Sequence, residues 1–115
     1  MQDFMMLFHS IEKPETQPSP QDFQEEIQRW QDWIGGIAAQ GKFIKTDALV
    51  NEGKTLHSDG KVTDGPYTEL KEIVGGYIMV KADGYDDALS LAKGCPVLTN
   101  ATGKVEIRPI MDLGD

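Results

Sequence analysis

The chain has 115 residues, 39% hydrophobic and 26% charged, with a net charge of -8. That length sets one domain with a modest core, and the acidic balance, with no basic stripe, excludes gripping of nucleic-acid phosphates or of an anionic membrane surface. One cysteine, Cys95, rules out an intrachain disulfide and fits a reducing, cytoplasmic setting.

Phe4-Met5-Met6-Leu7-Phe8-His9 reads as a strand that is apolar on both alternating faces, Phe4/Met6/Phe8 and Met5/Leu7/His9. That is the pattern of a strand covered on both sides. Met1–Ser10 carries Asp3 in place of a basic flank, so a signal peptide is not expected, and no run approaches a membrane span. After a polar loop containing Pro14, Ser19-Pro20-Gln21-Asp22 is a helix start, with Ser19 as N-cap and Pro20 at the first helical position. Phe23, Ile27, Trp30, Ile34 and Ile37 fall on one face, the expected core face. The helix should stop near Gln40, with Gly41 in the left-handed conformation. Gly35-Gly36 inside it costs about 1 kcal/mol per glycine against alanine, which close packing of helix on sheet would explain.

Lys42–Val50 is the second strand candidate, and Asn51-Glu52-Gly53 a turn. Lys54–His57 and Lys61–Thr63 flank Ser58-Asp59-Gly60 and read as a hairpin with Asp-Gly at its tip. The stretch Thr63–Tyr77 then crowds turn formers, Asp64, Glu69, Glu72 and Lys71 between two strand-like runs. Gly76–Ala82 is a further strand, again apolar on both faces in its middle. Asp83-Gly84-Tyr85-Asp86-Asp87 opens a second helix with carboxylates near its positive end; Tyr85, Ala88, Leu89 and Ala92 line one face, and Gly94 and Pro96 end it. In the last strand, Lys104–Ile110, Val105/Ile107 alternate with Glu106/Arg108, and Pro109 points to a sheet edge.

Strand, helix, strand, hairpin, strand, helix, strand is the order of a ferredoxin-like α+β sandwich, an antiparallel sheet with two helices on one face. Strands apolar on both faces leave the uncovered face in need of a partner. A second copy of the chain, sheet against sheet, is the expected solution: a homodimer forming an α/β barrel. A small-molecule pocket would then form between the sheet and its partner, closed by Thr63–Tyr77.

Asp64-Gly65-Pro66-Tyr67-Thr68-Glu69-Leu70-Lys71-Glu72 followed by Gly75-Gly76-Tyr77 resembles the DGPF-domain branch of the YCII-related proteins, with Tyr67 where the family form has Phe. The resemblance covers nearly the whole chain and implies a dimeric α/β barrel of ferredoxin-like subunits. Members of the YCII branch are similar to small enzymes in which a His-Asp pair is proposed to act on small aromatic or lactone-like substrates. The DGPF branch is often found beside extracytoplasmic-function sigma factors. The YCII-branch histidine falls after the start of the first helix, where Phe23–Gln40 holds none, so Asp64 is the residue that carries over.

Two functions follow as expectations. The first is a cofactor-free lyase- or isomerase-type enzyme with Asp64 as acid–base group, assisted by His57 or His9. Lys71 or Arg108 would clamp the ligand, beside Glu69 and Tyr67. The second is a non-catalytic ligand-binding or regulatory dimer tied to sigma-factor signalling. Each candidate also has a plain structural role: Asp64 as a turn cap, His57 as an exposed hairpin histidine, His9 as a strand-end cap, and the Glu69/Lys71/Glu72 run as a solvated face. Glu106 and Arg108 would pair with neighbouring strands if their face is a rim. Trp30, Trp33 and Tyr77 read as core or interface, and Cys95 as a buried inert thiol. No metal-spaced Cys/His cluster, phosphate loop or serine elbow is visible.

Overall fold

A computed structural model describes residues 1–11, 19–65 and 72–114. In chain order it holds β1 (Gln2–Ile11), α1 (Pro20–Ala39), β2 (Phe43–Ala48), β3 (Lys54–Leu56), β4 (Val62–Asp64), β5 (Glu72–Ala82), α2 (Tyr85–Ala92), a 3-10 turn (Pro96–Thr99) and β6 (Lys104–Pro109). Four strands make one sheet in the order β2-β5-β1-β6, every neighbouring pair antiparallel. This is the ferredoxin-like arrangement expected from the sequence. β3 and β4 form a separate hairpin with Gly60 at its tip (φ 89°). Pro109 lies at the end of β6, an edge strand, where its missing N–H costs no ladder bond.

Strand alternation sends Phe4, Met6 and Phe8 of β1, with Ile73, Ile78, Val80 and Ala82 of β5, to the face that the helices cover. There all but Ile73 form one core with Ile37 of α1, Ala88, Leu91 and Ala92 of α2, and Cys95. Each large side chain removed from water in this layer contributes roughly 1.5–3 kcal/mol. In α2 the buried residues are Ala88, Leu91 and Ala92. Leu89 and Tyr85 stay 49% and 57% exposed, so the expected inner face is rotated toward Leu91. Tyr85 still sets its ring edge against Phe4, at 5.7 Å between centroids.

The Ser19 hydroxyl accepts from the Asp22 N–H at 3.1 Å, as its capping position requires. Gly41 (φ 73°) closes α1 in the left-handed conformation. Gly35 and Gly36 do not serve close packing: a Cβ at either would meet nothing within 4 Å. Nothing in the structure explains this pair. β5 starts at Glu72, four residues ahead of the expected Gly76, because Gly75 is accommodated as a bulge. Phe8 pairs with Gly76 and His9 with Val74, leaving Gly75 as the extra residue.

Cys95 is 2% exposed, and burial pushes its thiol up to about 11. An unfolded thiol ionises near pH 8.5. The neutral thiol's contribution is therefore fully present below about pH 8.5 and is lost as pH rises toward 11. At about 1.4 kcal/mol per pH unit the loss reaches ~3 kcal/mol. A thiol reagent at pH 8 should label only unfolded protein, and Cys95→Ala should remove this part of the alkaline loss in melting experiments.

Candidate functional site

α1 is anchored toward its C-terminal end. Ile37 is buried, the Trp33 indole N–H donates to the Leu91 carbonyl at 2.9 Å, and Trp30 and Trp33 set ring edges against Phe8. Toward its N-terminus Phe23 and Ile27 remain 54% and 40% exposed. Four of the five residues of the apolar stripe expected in the core, all but Ile37, thus line a cleft. This cleft, about 840 Å³, lies between α1 and the β2–β5 side of the sheet. From the helix, Phe23, Glu26, Ile27, Trp30, Gln31 and Ile34 line it, at the i, i+3, i+4 spacing of one helical face. Phe8, Ser10, Thr46, Leu49, Ile73 and Gly75 line it from the strands and the segment after β2.

The polar residues of this lining are Ser10, Glu26, Gln31, Thr46, Asp47 and Asn51. The Thr46 hydroxyl donates to the Tyr77 carbonyl at 2.8 Å. Asp47 is among the lining residues, but its carboxylate accepts from the Tyr77 hydroxyl, on the opposite face of the sheet. That bond raises the Tyr77 pKa by favouring the neutral phenol. Glu26 is then the carboxylate left to the cleft, and among the described lining residues there is no lysine or arginine.

A second polar centre lies on the face that no helix covers. Met5, Leu7, Val74 and Met79 form its half-buried apolar middle. Lys45, Asp47 and Tyr77 flank it on the β2 side, and His9, Glu72, Lys104, Glu106 and Arg108 on the β6 side. His9 Nε2 is 2.8 Å from Glu106 Oε1. Its buried Nδ1 lies 3.0 Å from Glu72 Oε1, without the alignment of a hydrogen bond. Lys104 Nζ reaches the same Glu72 oxygen at 3.1 Å. The Lys104 bond, reinforced by its charge and by His9, holds the Glu72 carboxyl below its usual range against the opposing effect of partial burial. An imidazole between two carboxylates is an arrangement suited to proton transfer.

The residues expected to act together are separated. Asp64 sits on the hairpin with its side chain 90% exposed and pairs with Lys54 at 2.6 Å. His57 bonds Thr63 at 3.0 Å and does not reach Asp64. His9 is brought to carboxylates, but those of Glu72 and Glu106, with no contact to Asp64. Arg108 shares the open face with Glu106, at 3.9 Å, away from the α1 cleft. Tyr67, Glu69 and Lys71 lie outside the described residues. Sequence reasoning did not single out Lys104 as a partner of Glu72, nor Glu26 and Gln31 as cleft residues. The signal for Glu26 was there: an acid three residues after Phe23 and four before Trp30, on an apolar stripe.

An antiparallel ferredoxin-like sheet, two helices on one face and a cleft beneath the first of them define a small α+β protein of the ferredoxin-like kind. The chain belongs to the YCII-related domain family, whose model matches residues 4–114. It is 36% identical over 86 residues to an uncharacterised protein of Rhizobium meliloti (strain 1021), covering 73% of this chain and 67% of that one. Among solved structures it is similar to the 5-chloro-2-hydroxyhydroquinone dehydrochlorinase of Burkholderia phenoliruptrix AC1100 in complex with 2,5-dihydroxybenzoquinone. That likeness has a TM-score of 0.52, covers 93% of each chain at 13% identity, and is one of fold. Among the described residues no helix is long and apolar enough to cross a membrane.

Proposed function

We propose that the protein binds a small ring-bearing molecule in the cleft between α1 and the sheet. The observation that carries this reading is the cleft itself. Its volume of about 840 Å³ is within the usual range for ligand sites. Its walls include Phe8, Phe23, Trp30 and aliphatic side chains beside a smaller set of polar residues, and the fold leaves two of the apolar ones, Phe23 and Ile27, in contact with water. Exposed apolar surface in a concave site is stabilised by a ligand that displaces the water. The six-membered ring compound 2,5-dihydroxybenzoquinone, bound by the dehydrochlorinase of like fold, makes rings the first class to test.

A thermal-shift series with hydroquinone, catechol and indole, followed by titration of tryptophan fluorescence, tests this directly. At ten times its dissociation constant a ligand adds about 1.4 kcal/mol, a rise of several degrees in a domain of this size. Ile27→Glu places a charge on the cleft wall at a half-exposed site, so it should fold normally and abolish the shift. An unchanged response in that variant puts the ligand elsewhere.

A second reading, catalysis of the lyase or isomerase type, is favoured by His9 between Glu72 and Glu106. In that reading His9 is the proton-transferring group and a second copy of the chain covers the open face around it. The substrate of this reading binds on the open face, across the sheet from the α1 cleft, so His9→Gln should remove turnover while binding in the cleft persists.

A further inference from the structure

The cleft beneath α1 sorts ligands by charge as well as by shape. We propose that Glu26 makes it a site for a small aromatic amine, closed to aromatic carboxylates and phosphates. This rests on the reading of the cleft as the ligand site and adds its charge preference.

Glu26 stands on the stripe of α1 that faces the cleft, with Phe23 one turn before it and Trp30 one turn after. Its carboxylate makes no hydrogen bond or ion pair with any other described residue, whereas the lysines near this part of the sheet are committed elsewhere. Lys42 holds Asp87 at 3.0 Å, and Lys45 pairs with Asp47 on the open face at 3.7 Å. An anion entering would leave water for a wall that has neutral polar groups, Ser10, Gln31, Thr46 and Asn51, but no described cation to receive its charge. Glu26 would repel it further. A protonated amine meets the reverse: a free carboxylate and the electron-rich faces of Phe23 and Trp30. A neutral hydroxyl falls between, since it can donate to Glu26 without gaining the charge attraction.

The test uses the whole chain and three probes of one shape: benzylamine, benzyl alcohol and benzoate, titrated by tryptophan fluorescence at neutral pH. Benzylamine should bind at least about 10-fold tighter than benzoate, with benzyl alcohol between them. Glu26→Gln should bring the three within about 3-fold of one another. Glu26 is exposed at the cleft edge, so that variant should melt as the parent does. Benzoate binding as tightly as benzylamine overturns the proposal while leaving the cleft a ligand site. A preference that survives Glu26→Gln overturns the role of this residue. Failure of all three probes at millimolar concentration overturns the cleft reading and the charge preference together.

Discussion

Gly76→Ala should destabilise the protein by about 3 kcal/mol or more, while Gly75→Ala should change it by less than about 1 kcal/mol. The two glycines are adjacent, in one strand, and look equivalent in the sequence. Their surroundings differ. A Cβ on Gly76 would come 2.6 Å from the Asp47 carbonyl oxygen and 3.2 Å from the Ala48 Cα. Both are backbone atoms of β2 and cannot rotate away. Gly76 also has φ 156°, a conformation that side chains rarely adopt. Relief requires β2 to shift from β5, weakening the ladder on that side of the sheet. A Cβ on Gly75, the bulge residue, meets nothing within 4 Å. Urea melts read by tryptophan fluorescence should show the midpoint falling sharply for Gly76→Ala alone. Equal midpoints would mean that β2 is not held where the structure places it. The same shift would distort the cleft, because Thr46, Leu49 and Gly75 form its sheet side.

The Gly75-Gly76 pair also shows what the sequence could and could not convey. Strand alternation in Phe4–His9 and Gly76–Ala82, the Ser19-Pro20 helix start and the Asp59-Gly60 tip were legible because each is a local rule with a local cause. From them the ferredoxin-like order follows. The start of β5 was obscured because a bulge reads as a glycine turn until its partner strand is known. The site was less legible for a related reason. Phe23 and Ile27 carry the same helical spacing as Ile37, and periodicity cannot distinguish a stripe that touches the sheet from one that stands away from it. His57 and Asp64 are close in sequence, but the pairing of Lys54 with Asp64 and of Leu56 with Val62 fixes their separation. His9 and Glu106 are 97 residues apart, and only the β1–β6 register brings them to 2.8 Å.

That register also shapes the open face, where a large effect is expected on association. The inner strands β1 and β5 present Met5, Leu7, Val74 and Met79 there, and charged residues stand on both sides of them. An apolar middle with a polar rim is the anatomy of a protein interface, and the homodimer proposed for this chain uses it as the contact. Met79→Glu tests that arrangement with little risk to the fold. In a free subunit the new carboxylate faces water and lies opposite Lys45 across the strand pair. In a dimer joined through this face it is buried on both subunits, and a charge buried without a partner costs several kcal/mol. The dissociation constant should rise by at least about 100-fold, equivalent to ~3 kcal/mol, with the melting of the subunit little changed. Sedimentation velocity at micromolar concentration should then show a dimer for the parent chain and a monomer for the variant. A monomeric parent would refute the dimer. A dimeric Met79→Glu would place the contact on another surface and leave His9, Glu72 and Glu106 facing solvent, where the substrate of the second reading would have to approach from outside the molecule.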